Sequence, residues 1–255
     1  MIAKQRIHAT AVVSSDAQVH PSVIIGPYSV IGPNVVLGAG CELKSHVVLE
    51  GRTEFGAGNV FYPFSSLGLA PPDVKFKGEA STLKVGDNNI FREGVTIHRG
   101  TESGGLVTAI GNGNWFLPYV HIGHDCQIGS CCIFVNNTAL AGHVHCGDWV
   151  NLGGFTLVAP YCKVGNYVHT SAGTQITKCV PDYLHLTSLP TRALGVNTVG
   201  MQRAGLPQDV ILAMQNAYKI VYKKGVLLKS AKDTLRLSSW YTEYQAVRSF
   251  YNSLD

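Results

Sequence analysis

Residues 23–49 read VIIGPYSVIGPNVVLGAGCELKSHVVL, and an apolar side chain returns at every sixth position: Ile25, Ile31, Leu37, Leu43 and Leu49. A helix has no period of six, and a simple strand has a period of two. Outward from this stretch the same beat starts at Ile7 and runs through Val13 and Val19 to Phe55, Phe61 and Leu67. It returns at Val85, Phe91 and Ile97, then runs from Ile110 to Ile176. The fifth place of each hexad is small: Ala11, Ala17, Val23, Ser29, Val35 and Cys41, and later Val120, Cys126, Cys132 and Thr138. Large and small slots alternating into a narrow interior describe a triangular coil. Each hexad is a short strand and a corner, three hexads close a turn, and turns stack at the strand spacing of about 4.8 Å.

The beat lapses twice, which places loops near residues 69–84 and 103–109. Long loops in a strict repeat tend to carry function. Beyond Ile176 the period changes. LPQDVILAMQNAYKIVYKKG, with Pro207 near its start and Gly225 as a stop, predicts a helix, and two further amphipathic segments follow. Residues 1–186 are therefore read as a parallel β-helix and residues 187–255 as a C-terminal α-helical domain covering its open end.

Composition narrows the function. Charged residues are 14% of the chain and the formal net charge is +4, with no basic run of the kind that binds nucleic acid. Sparse charge on a chain of this size suggests further burial between subunits. No apolar run reaches the roughly 18 residues of a membrane span. The N-terminus lacks a secretory pattern, so the expected location is the cytoplasm. Seven cysteines include no C-x-x-C pair, and four of them (Cys41, Cys126, Cys132 and Cys162) fall in the small slot, as small apolar residues do.

The coil gives meaning to PYVHIGHDCQIG at residues 118–129. Residues 18 apart in an unbroken run lie on adjacent turns, so His124 lies beneath Gly142 and Asp125 beneath His143. With the second loop removed, His98 falls under Gly123 and Arg99 under His124. Three readings compete. The histidines form a polar outer wall, as His8, His20, His46, His145 and His185 are expected to do. Imidazoles of neighbouring subunits bind zinc and keep a water, as in a hydratase, although Arg99 is a poor neighbour for a dication. Or His124 is a general base beside the backbone N–H of Gly142, which can hold the oxyanion of an acyl transfer.

Four stretches, GVTIHRGT (94–101), HIGHDC (121–126), NNTALAGHV (136–144) and GVNTVGMQRAG (195–205), resemble those of the UDP-N-acetylglucosamine 3-O-acyltransferases of lipid A biosynthesis. The resemblance covers nearly the whole chain. It implies that the coil is left-handed and that the protein is a homotrimer with active sites between subunits. It implies transfer of a 3-hydroxyacyl chain to the sugar 3-hydroxyl, with the phosphopantetheine arm of acyl carrier protein as donor and no metal or other cofactor. His124 matches the general base, Asp125 its support and Gly142 the oxyanion donor. Asp73 and Lys75 match residues that hold the sugar nucleotide. His98, His121 and His143 match the substrate groove, Asn197 and Arg203 the nucleotide or the phosphopantetheine arm, and Ala172 the determinant of acyl length. Lys219, Lys223 and Lys224 are candidates for attracting the acidic carrier protein, or for a solvated helix face. Ala159 and Pro160 replace the usual His-Gln, and Val199 and Ala204 replace an acidic residue and an Arg. These departures leave N-acylation of a 3-amino sugar nucleotide as the alternative.

Overall fold

The computed structural model describes residues 6–188, 190–223 and 225–254. Lys224 lies outside them. The repeat forms three sheets that the chain visits in rotation. Among the described residues the first holds nine strands, from Val12–Val13 to Gln175–Ile176, and the second eight, from Gln18–Val19 to Lys163–Val164. The third holds ten, from Ile24–Ile25 up to Leu184–Thr187 and Arg192–Val196. All pairings are parallel except the last, which is antiparallel and which the sequence did not announce. The predicted register holds: Val12 pairs with Val30, and His121 pairs with Ala139, 18 residues on.

Most strands are two residues long, because a hexad must also turn a corner. The apolar slot of each hexad points inward. Phe61, Phe91, Phe116 and Phe134 stack face to face with ring centroids 5.1 Å apart. That ring spacing is close to the strand spacing of about 4.8 Å, and each ring is wholly buried, which contributes at most about 1.5–3 kcal/mol. From Tyr28 onward most corners place a residue in the left-handed region, and many are not glycine: Tyr28 (φ 59°), His46 (58°), Asp125 (61°), His143 (62°) and Tyr161 (64°). Such a conformation is costly for a side-chain-bearing residue. The hydrogen bonds on either side of each corner compensate.

One corner column carries a ladder of side chains. At the turn from second to third sheet, from Asp87 upward, a polar side chain of each rung accepts a backbone N–H of the rung before it. Asp87 accepts from Ala57 (2.6 Å), Asn112 from Asp87 (2.7 Å) and Ser130 from Asn112 (3.0 Å). Asp148, Asn166 and Asp182 continue it, accepting from Ser130, Asp148 and Asn166. This explains the glycine that so often follows the apolar slot. A Cβ on Gly129 would sit 2.4 Å from Asp148 Oδ1, and one on Gly165 2.3 Å from Asp182 Oδ1.

The insertions are narrower than the sequence suggested. Thr82–Val85 is a strand paired with Arg52–Phe55, so the first loop is confined to residues 70–81. Val107–Ile110 is also a strand, so the second lies before it, with a 3₁₀ turn at Glu102–Gly104. Both strands run four residues, because the chain re-enters the sheet ahead of the hexad's usual start.

Among the described residues five helices follow: α1 (Thr198–Arg203), α2 (Gln208–Val221), α3 (Leu228–Arg236), α4 (Ser239–Glu243) and α5 (Gln245–Asn252). Helix α2 buries Ile211, Met214 and Ala217 at helical spacing against the top of the coil. It stops at Val221 with Tyr222 as its cap, so Gly225 serves the turn beyond rather than the helix end. Helix α1 was not foreseen, because six residues are too few to show a period. The corner ladder ends here: the Asp182 N–H donates to Ser253 Oγ (3.0 Å), and Ser249 Oγ donates to the Asp182 carboxylate. Asp182→Ala should therefore lower the unfolding free energy by about 2–3 kcal/mol. Limited proteolysis should cut first in the C-terminal helices, and an unchanged melting temperature would refute the docking role.

Candidate functional site

His124 and Asp125 form the corner where the chain leaves the first sheet for the second. Gly142–His143 and Pro160–Tyr161 are the same corner one and two rungs later, as the His143 N–H bond to His124 O (2.9 Å) shows. The stack expected from the 18-residue spacing is therefore present. Asp125 is 3% exposed. Its Oδ2 lies 2.7 Å from His124 Nδ1. An ionised carboxylate can only accept, so Nδ1 carries the proton and Nε2 presents its lone pair outward.

The ring is held on every side. It meets the His143 ring edge to face at 5.0 Å, and His143 in turn stacks on Tyr161 at 4.4 Å with planes 7° apart. Above it sits Gly142: a Cβ there would fall 2.6 Å from His124 Cε1. Only a glycine admits the imidazole at this place. Among the described residues no acceptor engages the Gly142 N–H, so that donor is free beside Nε2.

The lower wall consists of His98, Arg99 and His121. Thr96 Oγ1 lies 2.8 Å from His121 Nδ1, and the Ala70 carbonyl accepts from His98 Nδ1 at 2.9 Å. Arg99 occupies the rung beneath His124, but its Nη1 turns to the Gly68 carbonyl (3.1 Å) and its guanidinium lies over Phe76 of the first loop (5.9 Å). It braces the loop. Burial pulls His98, His121 and His143 below the usual histidine value, so all three are neutral imidazoles at neutral pH.

The first loop brings Asp73 and Lys75 to this edge of the coil. With Glu79, Thr101 and Glu102 they line a cleft of about 330 Å³ between the two insertions. Asp73 acts on His143 through its charge. Asn197 and Arg203 lie elsewhere. They line a second cleft of about 410 Å³ on the third sheet, with Trp149, Asn151, His169 and His185. Asn197 is committed locally, accepting the Gly200 N–H (3.0 Å) as the cap of α1 and donating to the Tyr167 carbonyl (2.8 Å). Ala172 sits exposed on the corner from third to first sheet, away from His124. Pro160 stands one rung above Gly142, Val199 is exposed at α1, and Ala204 ends that helix. One chain thus gathers His98, His121, His124, Asp125, Gly142, His143, Asp73 and Lys75. It does not bring Asn197, Arg203 or Ala172 to them.

His124, Asp125 and His143 also offer three ligand atoms within 4.8 Å of one another, as a metal would need. The carboxylate argues against it. Its Oδ1 accepts the Thr101 N–H (2.8 Å), and its Oδ2 already takes the Thr101 hydroxyl (2.6 Å) and His124. Thr101, His169 and Tyr161 were not singled out from the sequence. Thr101 lies across an insertion whose length hides its partner, whereas Tyr161 stands 18 residues beyond His143 and His169 18 beyond Asn151, a signal the register carried for both.

Comparison with known proteins places the chain in a family. The model of the bacterial transferase hexapeptide repeat matches residues 6–51 and 108–142, and that of UDP-N-acetylglucosamine O-acyltransferase domain 2 matches residues 180–255. An acyl-[acyl-carrier-protein]–UDP-N-acetylglucosamine O-acyltransferase of Stutzerimonas stutzeri is 47% identical over 190 residues, 74% of each chain. One from Pseudomonas putida is 47% identical over 197 residues, 76% of each. Among solved structures, LpxA from Acinetobacter baumannii superposes with a TM-score of 0.93 at 38% identity, covering 98% of this chain and 96% of the other. A UDP-N-acetylglucosamine acyltransferase from Francisella novicida gives 0.92 at 38% identity, covering 96% and 90%. The winding is thus the left-handed parallel β-helix. These relatives are O-acyltransferases, which favours neither the amide-forming alternative nor a zinc hydratase.

Two outcomes follow from the geometry. Gly142→Ala should displace the His124 ring and reduce acyl transfer roughly 10²-fold with unchanged circular dichroism. Native-like rates in that variant would show that the ring is not confined as described. The depressed histidines make stability depend on pH. The unfolded chain binds protons near the ordinary value of about 6.5 and the folded one only below it. Stability should be full above about pH 6.5 and decline as pH falls toward the folded values. Melting temperatures between pH 7.5 and 5 read this, and His121→Gln should flatten the slope.

Proposed function

As the chain belongs to the acyl-[acyl-carrier-protein]–UDP-N-acetylglucosamine O-acyltransferases, we propose that His124 is the base with which it esterifies the sugar 3-hydroxyl with a 3-hydroxyacyl chain. The reaction opens lipid A biosynthesis. The observation that carries the assignment is the imidazole clamped between the Asp125 carboxylate and the Gly142 backbone. Nε2 takes the proton of the 3-hydroxyl as its oxygen attacks the thioester carbonyl carbon. The carbonyl oxygen becomes an anion, and the Gly142 N–H donates to it. Collapse of the tetrahedral intermediate breaks the carbon–sulfur bond, and the phosphopantetheine thiolate leaves with the proton from the imidazolium. Asp125 holds the tautomer and stabilises that imidazolium, without itself taking the proton. No metal enters the scheme.

Asp73 and Lys75 hold the sugar nucleotide, with His98, His121 and His143 as neutral donors and acceptors along the groove. Lys219 and Lys223 are exposed at the end of α2 and attract the acidic carrier protein. No helix among the described residues is long and apolar enough to cross a membrane. We place the enzyme in the cytoplasm, where acyl carrier protein supplies the donor. The acting unit is a homotrimer. Two observations support it: the separation of Arg203 from His124 within one chain, and a column of exposed aromatic corners at Tyr28, Phe64, Tyr119 and Phe155. Arg203 then faces the His124 of a neighbouring subunit across the groove, with Asn197 anchoring the helix that carries it and Ala172 bounding the acyl chain.

His124→Ala should lose about 10²–10⁴-fold in turnover of UDP-N-acetylglucosamine with 3-hydroxyacyl carrier protein, while keeping its oligomeric state. Mass spectrometry of the ester product is the readout, and near-normal turnover would remove His124 from the mechanism. Co-expressed His124→Ala and Arg203→Ala chains should recover part of the activity that each lacks alone. No recovery in mixed trimers would show that the two residues do not meet across subunits.

A further inference from the structure

The carboxylate of Asp125 has a partner that the reaction scheme does not use. Thr101 gives it two bonds, the N–H to Oδ1 at 2.8 Å and the hydroxyl to Oδ2 at 2.6 Å. Oδ2 is also the oxygen that receives His124 Nδ1, at 2.7 Å. Thr101 is 3% exposed and begins the second insertion, where the 3₁₀ turn Glu102–Gly104 folds over the carboxylate. The fit leaves no room: a Cβ on Gly104 would lie 2.0 Å from Asp125 Cγ. The loop closes on itself through the Leu106 N–H bond to the Thr101 carbonyl (2.8 Å). The Asp125 N–H is fixed by Thr108 Oγ1 (2.8 Å), in the strand that follows the insertion.

The second insertion also meets the first. The Glu102 N–H donates to Glu79 Oε1 (3.3 Å), and Thr101 lines the cleft that holds Asp73 and Lys75. A break in a strict repeat is thereby spent on one carboxylate. Asp125 sits at a left-handed corner, and among the described residues its basic neighbours are the imidazoles of His124 and His143 and no Lys or Arg, since Arg99 turns away to Gly68. Without the loop, its oxygens would lie open to water and could rotate off the imidazole.

We propose that Thr101 is a positioning residue of the acyl transfer: its paired bonds lock the Asp125 carboxylate in the one rotamer that holds His124 as the Nδ1–H tautomer with Nε2 free. This rests on the reading of His124 as the base. Thr101 touches no reacting atom and acts only through Asp125. Its hydroxyl donates to Oδ2 and receives Ser103 Oγ (3.0 Å), which fixes the direction of that proton.

Thr101→Val keeps the shape and the N–H bond and removes only the hydroxyl. It should lower kcat about ten- to hundredfold, as loss of a hydrogen bond to a charged group does, and leave KM for the sugar nucleotide unchanged. Thr101→Ser should restore most of the loss. In an Asp125→Asn background, Thr101→Val should cost little more, because both act through one carboxylate. Wild-type kcat in Thr101→Val, a serine variant as poor as the valine, or costs that multiply with Asp125→Asn would each overturn the proposal. Melting temperatures accompany each variant. If the valine form does not fold, Thr101→Ala provides the same comparison. Nitrogen-15 NMR of the histidine rings needs no substrate: His124 should be the Nδ1–H tautomer in the wild type and a mixture in Thr101→Val. That measurement stands even if the wild-type protein fails to acylate UDP-N-acetylglucosamine, which would count against the functional reading alone. An unmixed tautomer in the variant would count against Thr101.

Discussion

Equal perimeter is the constraint from which the rest of this structure follows. Each rung must return to its starting point after 18 residues, so that its backbone N–H groups meet the carbonyls of the next rung. Two-residue strands leave little margin. A rung one residue too long would turn every inward side chain outward. Stacked phenylalanines 5.1 Å apart, small residues beneath them and left-handed corners are all consequences of that closure. Parallel crossovers are usually right-handed because a twisted strand feeds a helix. Here a short corner replaces the helix, and that cause is absent.

The same closure makes the site. Side chains with no proximity in sequence are brought to one edge, with His124, Gly142 and Pro160 forming a column and Asp125, His143 and Tyr161 the one beside it. The chain departs from closure only where it inserts. Both insertions emerge near this edge, and both attach to it: Arg99, bonded to Gly68 of the strand before the first loop, lies over Phe76 within it, and Asp125 anchors the second through Thr101. The regular coil supplies rigidity, and the irregular segments supply enclosure. Catalytic geometry held to within half an ångström needs both.

The helices complete the coil by extending its own hydrogen bonding. Ser253 takes the place that the next rung's side chain would occupy in the corner ladder, and Asp182 is the last ladder member. Burial of Ile211, Met214, Val247 and Phe250 adds the apolar part of the joint. The second cleft, with Arg203 and His169, arises where this cap meets the third sheet. It lies on a different face of the prism from His124.

By itself the sequence determined the coil, its register, its small and large slots, and the stacking of His124 under Gly142 and of Asp125 under His143. A period of six repeated over most of the chain requires a triangular coil, whose left hand rests on the family and not on the period. It did not determine the antiparallel strand Arg192–Val196, helix α1 or the true extent of the insertions, because short or irregular segments carry no period. The tertiary structure alone decided what the insertions hold. Thr101 reaches Asp125 across 24 residues through a loop that keeps no register, and Asn197 is revealed as a helix cap rather than a free side chain. Periodicity fixes what stacks. Side-chain contacts made by aperiodic segments depend on where the folded coil leaves room, and that is a property of the assembled surface.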